Sequence, residues 1–324
     1  ALRAKGLKLE STSEEILKAA DDGHLVPLVL AHREASKRAQ QAESLVGHIQ
    51  KDGRIHGRFE PLGTATGRFS SKEPNLQNIG RGEMREAFTA PAGKRLIVAD
   101  YSQIELRAAA AIAGETKMID AYKAGADLHK LTAATVLDKP ETDVTKSDRQ
   151  LAKAVNFGLI YGQSAPGLVK YAATSYGVTM EEDQAFAIRQ AFFRTYSRLR
   201  QWHGLSHNTA ADGVTEVRTR TGRRRLIPNN ASEWERFTAL VNTPVQGGTA
   251  DGMKHALILI HERLPKSARI VSTVHDEVVV ECREEAADQC REIITTAMVE
   301  AMSALFPEVP VEVEANVCTT WAEK

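Results

Sequence analysis

The segment ARIVSTVHDEVVVEC, residues 268–282, restricts the possible folds more than any other stretch of this chain. Its apolar residues are mostly β-branched, but the segment is longer than the roughly 3 to 10 residues of an ordinary strand. Two strands that meet at a turn therefore fit better than one. His275 and Asp276 supply the turn, because a short Asp side chain can hydrogen-bond nearby backbone. The pattern predicts a β-hairpin with Asp276 and Glu277 at its tip, where the acids either face solvent or await a cation.

A second segment, KRLIVADYSQIELRAAAAIAG at residues 94–114, changes from strand-like to helix-like halfway along. Residues 96–99 form an apolar run, whereas residues 104–113 have helix-forming composition and stop at Gly114. Asp100 is therefore predicted where a strand ends and a helix is about to begin. Since this strand and the hairpin flank a long helical stretch, we expect an α+β fold with one sheet built from two separated pieces of chain.

Asp100 and Asp276 are two carboxylates on separate β elements, and such a pair can hold two divalent ions for an in-line phosphoryl displacement. Mg²⁺ suits them, because it binds few carboxylates and completes its shell with water and phosphate oxygens. Glu105 follows closely in a Ser-x-x-Glu pattern, which predicts a capping box with Ser102 at the helix start. That structural role alone explains Glu105, although a first-turn side chain also faces whatever Asp100 faces.

The helical stretch from about residue 116 to 210 contains SDRQLAKAVNFGLIYG at residues 147–162, which begins with another capping pattern, Ser-x-x-Gln. Four of its residues recur at a spacing of four and form one stripe: Arg149, Lys153, Phe157 and Tyr161. Cations at one end and aromatic rings at the other match the phosphates and the base of a nucleotide. A solvated face with a buried aromatic end is equally compatible with the spacing. His129 is a lone histidine in this region, and such residues are more often structural than catalytic.

Two further segments suggest contact with phosphate. VTEVRTRTGRRRLIP predicts a hairpin that turns at Thr221-Gly222. It concentrates five cations, Arg218, Arg220, Arg223, Arg224 and Arg225. Such a cluster is usually a solvated face but could bind a phosphate backbone. GTATGRFSS places Arg68 among small hydroxyl residues, which allow a close approach to a phosphate or a sugar.

Composition narrows the class of protein. The 324 residues include 42 Lys and Arg against 42 Asp and Glu, so no global positive field indicates nucleic-acid binding, and the argument must be local. Three cysteines without CxxC spacing fit a reducing compartment and disfavour structural zinc. We expect no membrane span, because no apolar run approaches roughly 20 residues. The chain begins with Ala1, which suggests a processed or excised fragment.

Helices are expected in three other regions. Residues 11–46 predict two, the first opened by a Ser/Thr cap. Residues 232–264 predict one that is interrupted near Pro244, and residues 284–305 a C-terminal one.

Five segments, in order, resemble motifs of the polymerase part of the DNA polymerase I family, or family A. VADYSQIELR, RQLAKAVNFGLIYG and VHDE resemble its three polymerase motifs, and TATGRFSSKEPNLQNI and NTPVQGGTADGMK two further segments. The resemblance runs from about residue 11 to the C-terminus. It implies a right-hand fold with an antiparallel palm sheet and a helical fingers insert: residual thumb helices at 1–46, palm at 47–115, fingers at 116–232 and palm again at 233–324.

The resemblance also implies roles for individual residues. Asp100 and Asp276, with the backbone carbonyl of Tyr101, would hold the metal ions, and Glu277 and Lys153 would join Asp100 and Asp276 as catalytic residues. Nucleotide-binding positions would be Gln103, Glu105, His129, Arg149, Lys153, Phe157 and Tyr161. DNA-binding positions would be Arg68, Arg225, Asn242, Gln246 and His275. Glu105 matches the residue that blocks a ribose 2′-hydroxyl, and Phe157 the one that stacks on the nucleotide; Phe157→Tyr is expected to raise dideoxynucleotide incorporation.

The implied activity is template-directed DNA synthesis from a primer, with two Mg²⁺ ions that Mn²⁺ can replace. Primer–template DNA and dNTPs are the expected partners of a monomer located in the cytoplasm or nucleoid, with a phage or organelle origin left open. No segment resembles an exonuclease. Departures are the start within a thumb, a short GRGEMR loop, and Gln150 where many members have Arg. An RNA polymerase or reverse transcriptase, a non-catalytic DNA-binding relic and a metal-dependent nuclease remain as alternatives.

Overall fold

The computed structural model describes residues 12–19, 23–80 and 82–323 and combines α-helices with antiparallel strands. The strands are β1 (Arg58–Glu60), β2 (Ser70–Lys72), β3 (Lys94–Tyr101), β4 (Glu216–Arg218), β5 (Arg224–Leu226), β6 (Arg269–Val274), β7 (Glu277–Arg283) and β8 (Val313–Cys318). The helices are α1 (Glu14–Ala19), α2 (Leu25–Val46), α3 (Glu83–Glu86), α4 (Ile104–Ala113), α5 (Thr116–Lys123), α6 (Leu128–Val136), α7 (Lys146–Ile160), α8 (Ala165–Tyr176), α9 (Glu182–Thr195), α10 (Ser197–Ala211), α11 (Glu233–Asn242), α12 (Gly248–Arg263) and α13 (Ala287–Leu305).

A four-stranded antiparallel sheet joins the two distant pieces of chain, in the order β6-β7-β3-β8. Its two central strands are β3 and β7, which pair from Lys94 opposite Arg283 to Asp100 opposite Glu277. The predicted hairpin at 268–282 and the predicted strand before Asp100 are therefore confirmed, and so is their union in one sheet. The fourth strand, β8, was not predicted; it pairs with the free edge of β3.

One face of the sheet carries the main core. Alternate residues of β3 and β7, among them Ile97, Ala99, Val278 and Val280, are completely buried together with apolar residues of α13. The hydroxyl of Tyr101 donates to the backbone carbonyl of Met298 at 2.7 Å and so ties the end of β3 to α13. Because side chains alternate along a strand, the side chain of Asp100 projects from the face of the sheet opposite to that of Tyr101.

The long helix predicted at 232–264 is interrupted as expected. α11 begins with a capping box of Ser232 and Glu235, and a π-helical turn at Thr243–Gly247 separates it from α12. Pro244 lies within this turn, where its missing N–H disturbs the regular helix. The hairpin of β4 and β5 also forms, and its turn includes Gly222 at φ 84°.

Two predicted helix caps and one predicted helix start were wrong. α4 spans the predicted residues 104–113, but it begins after Gln103, whose left-handed φ of 52° makes the turn, and no side chain caps it. α7 is capped by Thr145 and Asp148 rather than by the predicted Ser147 and Gln150. The C-terminal helix α13 starts three residues later than expected, because residues 284–286 form a 3₁₀ turn.

The chain divides into two compact units. The first lies within Ala1–Arg58 and Ser71–Asn75, and the second comprises Phe59–Ser70 and Leu76–Lys324. In the first unit α1 packs on α2 through buried Leu17 and Val26, which confirms the two helices predicted at 11–46; residues 11 and 20–22 of that prediction lie outside the described residues. The proposed thumb, palm and fingers boundaries stay a prediction. None of the helices in the described ranges is both long enough and apolar enough to span a bilayer.

Candidate active site

Asp100 and Asp276 meet at one end of the β3–β7 pair. Asp100 is directly opposite Glu277, the first residue of β7, and Asp276 precedes it in the hairpin turn. The backbone N–H of Tyr101 donates to the carbonyl of Asp276 at 3.3 Å, which holds the turn against the end of β3. His275 adopts a left-handed φ of 56° and so reverses the chain at this point. The predicted encounter of the two aspartates follows from this register.

The electrostatics of this acid pair fit a divalent cation. Burial and then the negative charge of Asp100 raise the pKa of Asp276 above its usual range, and Glu105 adds to the effect while Arg68 opposes it. Two such carboxylates each make ionisation of the other costly, and a bound cation removes that cost. Within the described ranges no group of three His, Cys, Asp or Glu forms a ready metal cage. A two-carboxylate donor set is nevertheless what Mg²⁺ uses when phosphate and water complete its shell.

Glu277 lies beside the acid pair, in a buried network of its own. Its carboxylate is 3.2 Å from Nη1 of Arg85 and accepts a hydrogen bond from Nε1 of Trp321 at 2.7 Å. The Arg85 guanidinium also stacks over the Trp321 ring at 4.2 Å. Glu277 therefore fastens the first residue of β7 to α3 and to the C-terminal segment, and its predicted catalytic role stays a prediction.

Glu105 connects the sheet to the stripe on α7. One carboxylate oxygen pairs with Arg68, and the other accepts the hydroxyl proton of Tyr161, the residue that ends α7. The side chain of Gln246 lies near the same hydroxyl and lowers its pKa, against burial and Glu105, which raise it well above its usual value. Glu105 is thus not the capping residue predicted from its spacing. It joins the loop of residues 63–69, helix α4 and the end of helix α7. Gln103 accepts from the hydroxyl of buried Tyr122 at 3.3 Å.

The stripe on α7 has the predicted order. Arg149 lies in the first turns, with its side chain 39% exposed and its Nε 2.6 Å from Oδ2 of Asp127. Lys153 and Phe157 follow at partly buried positions one and two turns later. Asp127 itself caps α6 by accepting from the backbone of His129 and Lys130. It was not singled out in the sequence, although Asp before a helical run is a recognisable cap.

His129 is buried and belongs to a chain of polar side chains. Asn156 Nδ2 lies 3.0 Å from Nδ1 of His129, Thr132 donates to Asn156 Oδ1 at 3.1 Å, and the Thr132 hydroxyl is 2.8 Å from that of Tyr196. Since an amide nitrogen can only donate, Nδ1 accepts, and the imidazole proton is placed on Nε2. Burial and then the charge of Arg149 lower the pKa of His129 to about 4. His129 is therefore a neutral donor.

The predicted DNA-binding residues fall into two groups. Arg68 and Gln246 reach the Glu105–Tyr161 contact, and His275 is exposed at the hairpin tip. Asn242 ends α11, and Arg225 donates to Thr243 Oγ1 at 3.1 Å in the π-helical turn that follows. Arg225 thus contacts the residue that directly follows Asn242 in the chain.

Most of the basic hairpin is neutralised within the protein. Arg218 and Arg224 both pair with Glu216, Arg220 pairs with Glu308, and Arg223 pairs with Asp251. These arginines fix the hairpin to its surroundings, so the solvated or structural interpretation is the better one for four of the five.

Arg223 also holds the loop of residues 63–69 in place. It donates to the Thr66 carbonyl at 2.7 Å, and Lys254 donates to the Gly67 carbonyl. The close approach requires glycine at 247, where a Cβ would lie 3.1 Å from the Thr66 oxygen. Neither Asp251 nor Lys254 was predicted, since contacts across such distances in sequence leave no local pattern.

The four-stranded sheet has an acid pair at one end, and Glu105 links it to a helical insert that bears a cationic and aromatic stripe. This is the arrangement of a right-hand polymerase domain with its palm sheet. The family model for DNA polymerase family A matches residues 2–323, and the chain belongs to this family. DNA polymerase I of Aquifex aeolicus is 41% identical over 317 residues, which cover 97% of this chain and 54% of that protein.

DNA polymerase I of Pseudomonas aeruginosa is 39% identical over 97% of this chain and 35% of that protein. The chain thus spans about half, or less, of the length of these relatives. A solved structure described as the POL domain of Pol1 from M. smegmatis, in complex with DNA primer-template and dNTP, superimposes with a TM-score of 0.86. It is 32% identical and covers 96% of this chain and 56% of that one. The α+β right-hand fold predicted from the motifs is confirmed.

Proposed function

We propose that this chain is a DNA-templated DNA polymerase that adds deoxynucleotides to a primer 3′ end and releases pyrophosphate. The observation that carries the proposal is the meeting of Asp100 and Asp276 across β3 and β7, next to Glu105 and the α7 stripe. A metal-dependent nuclease could use the same acids. It would have no use for Arg149 and Lys153 on helix α7, which is followed by Tyr161 and its contact with Glu105.

Asp100 and Asp276 would hold two Mg²⁺, or Mn²⁺ in their place, with the Tyr101 carbonyl as a further ligand. The ions, when bound, supply charge neutralisation for the attacking and leaving oxygens. Most of the protein's remaining contribution to catalysis is positioning of the reactants, as is usual for phosphoryl transfer. Arg149 and Lys153 bind the triphosphate, and Lys153 offsets charge on the departing pyrophosphate. His129 contributes a neutral Nε2–H donor to a phosphate oxygen.

Phe157 stacks on the incoming base or sugar, and Tyr161 lies at the templating position. Glu105 closes the space that a ribose 2′-hydroxyl would need, because Arg68 and Tyr161 fix both of its oxygens. Arg68, Arg225, Asn242, Gln246 and His275 contact the primer–template duplex. We further propose that residues 2–323, which the polymerase family accounts for, carry no exonuclease activity, and that the protein acts as a monomer in the cytoplasm or nucleoid.

The test is extension of a labelled primer on a DNA template with four dNTPs and Mg²⁺. The variants are Asp276→Asn, Asp100→Asn and, as a matched control, Asp288→Asn, whose parent side chain is 86% exposed on α13. We expect extension by the wild type and the control, and a loss of at least about 1000-fold in the two site variants. Absence of extension by folded wild-type protein at saturating DNA, or extension that survives Asp276→Asn, would contradict the proposal.

A further inference from the structure

The loop of residues 63–69 presents Arg68 to the candidate active site. Arg68 pairs with one carboxylate oxygen of Glu105, and the other oxygen accepts the hydroxyl proton of Tyr161. The ion pair is shielded from water, since the side chain of Arg68 is 25% exposed and that of Glu105 is 15% exposed. Such a pair can hold Glu105 in one place only if the backbone that carries Arg68 is itself fixed. The position of Glu105 therefore depends on what holds this loop.

Two cations hold the loop by its backbone carbonyls. Nη2 of Arg223, at the turn of the β4–β5 hairpin, donates to the carbonyl of Thr66 at 2.7 Å, and Lys254 on α12 donates to the carbonyl of Gly67. The same Nη2 lies 3.1 Å from the carbonyl of Gly247, so Arg223 also joins the loop to the π-helical turn. A Cβ on Gly67, whose φ is 82°, would lie 2.5 Å from the guanidinium carbon. The guanidinium is thus packed directly on the backbone of the loop.

Asp251 fixes the direction of the Arg223 guanidinium. One of its carboxylate oxygens is 2.6 Å from Nε of Arg223, and the other accepts the hydroxyl proton of Thr221 at 2.7 Å. The side chain of Asp251 is only 8% exposed, so water offers few competing partners. With Nε bound to the carboxylate, the planar guanidinium has its Nη groups left for the loop. Asp251 and Lys254 lie one turn apart on α12, so one helix contributes to both contacts.

Arg223, Asp251 and Lys254 together form a brace that links α12 to the loop and so, through Arg68, to Glu105. We propose that Arg223 and Asp251 are positioning residues for sugar selection: they fix the loop and thereby hold Glu105 where it excludes a ribose 2′-hydroxyl. The inference rests on the proposed function, in which Glu105 closes the space beside the sugar. A shift of about 1 Å in a positioned group can change a rate about 100-fold, so a loosened brace would admit ribonucleotides.

Arg220 provides a matched control on the same hairpin. It pairs with Glu308 at 2.9 Å and donates to the carbonyls of Leu305 and Ala111, and none of these contacts involves the loop. The test compares Arg223→Gln with Arg220→Gln, two changes that remove the same charge from the same hairpin. Arg223→Lys keeps the charge but has a single donor nitrogen, and it therefore separates the geometry of the brace from its charge.

The measured quantity is the ratio of kcat/KM for a dNTP to kcat/KM for the matching rNTP, in single-nucleotide extension of a labelled primer on a DNA template. We expect Arg223→Gln and Arg223→Lys to lower this ratio about tenfold, through faster rNTP insertion, with dNTP insertion within about threefold of the wild type. Arg220→Gln should leave the ratio unchanged. In a Glu105→Ala background, where the ratio is already low, Arg223→Gln should lower it no further.

Hydrogen–deuterium exchange of the same variants reports on the brace without catalysis. Arg223→Gln should speed amide exchange in peptides that cover residues 60–72 and 101–108, whereas Arg220→Gln should speed it in neither. Faster exchange confined to residues 60–72 would overturn the proposal. So would an unchanged ratio, or a ratio that falls equally with and without Glu105. A wild type that extends no primer would contradict the proposed function, and the exchange data would still decide whether the brace reaches the segment that carries Glu105.

Discussion

Asn156 touches no expected ligand, but it determines which nitrogen of His129 carries the proton. Its amide nitrogen donates to Nδ1, and its oxygen is occupied by Thr132. A carboxylate at this position would instead accept a proton from Nδ1, which would turn Nε2 into an acceptor facing the phosphates.

Asn156→Asp is therefore predicted to raise the KM for dNTPs by about tenfold at pH 8, with a smaller change in kcat. The new carboxylate would also stabilise the imidazolium, so the KM should recover as the pH falls toward 6. The wild type should show little change in KM over this range, because the pKa of His129 is lowered to about 4 by burial and by Arg149; Lys153 acts in the same direction and Asp127 against it.

Steady-state kinetics from pH 6 to 8 measure this effect, with His129→Gln and the double variant completing the cycle. If Asn156→Asp costs as much without His129 as with it, Asn156 acts through packing and not through the imidazole.

The acid pair is expected to lower stability when no cation is bound. Asp100 and Asp276 repel each other in a partly buried site, as the raised pKa of Asp276 indicates. Asp276→Asn should therefore increase the free energy of unfolding in EDTA by about 1 to 2 kcal/mol. Added Mg²⁺ should raise the Tm of the wild type but not that of the variant. Calorimetry in EDTA and in Mg²⁺ gives both values, and a variant less stable than the wild type in EDTA would contradict the repulsion.

At the scale of elements, the first residue of β7 is held by the buried contact of Glu277 with Arg85 and Trp321. Glu277→Gln keeps the shape but leaves the Arg85 charge without its counter-ion, so we expect a loss of about 2 to 4 kcal/mol in unfolding free energy. Trp321→Phe removes one donor and part of the buried ring over which Arg85 stacks, and should cost about 2 kcal/mol. Urea unfolding measures both. A normal unfolding curve combined with abolished extension by Glu277→Gln would instead support the catalytic role predicted from the motif.

The elements that could be predicted from the sequence are those whose signal is local. The hairpin tip, the strand before Asp100 and the stop of α4 at Gly114 follow from turn chemistry, β-branched runs and the left-handed φ of 63° that Gly114 adopts. β8 was missed although Val311, Val313, Ala315 and Val317 alternate with polar residues. The signal is weak, because only Cys318 of β8 is fully buried and Val317 is 36% exposed.

The errors at helix starts and at Glu105 share a cause. A Ser-x-x-Glu or Ser-x-x-Gln pattern identifies side chains able to cap a helix, but tertiary partners decide whether they do so. Glu105 lies in the first turn of α4, but Arg68 and Tyr161 take its carboxylate, while Gln103 makes the turn through its backbone. The motifs therefore nominate candidate site residues, which stay a prediction, whereas the contacts of those residues could not be predicted from the sequence.

At the scale of the whole molecule, two buried imidazoles make stability depend on pH. Burial lowers the pKa of both His129 and His203 to about 4, against about 6.5 in an unfolded chain. Between these values the unfolded state binds more protons, so the free energy of unfolding should fall as the pH decreases from about 6.5 to 4. Each imidazole contributes up to about 3 kcal/mol over this window.

Urea unfolding at pH 7.5, 6 and 5 measures the decrease. His203→Gln should make it smaller by about half, although the variant is less stable throughout because it disturbs the surrounding rings. His261→Gln, at an exposed position on α12, should leave the decrease unchanged. A decrease of wild-type size in His203→Gln would assign the effect to other groups.

The order of strands in the sheet also governs how the protein is made. β3 ends at Tyr101, but both of its neighbours, β7 and β8, come from residues 277–283 and 313–318. A ribosome adds about 5 to 20 residues per second, so both edges of β3 stay without a paired strand for roughly 10 to 40 s while the later residues are synthesised. The helices of residues 104–263 emerge first and can fold over it. Asp100 thus meets Asp276 only after β6 and β7 have been made, and a nascent chain stalled before residue 269 has helix α7 but not the acid pair.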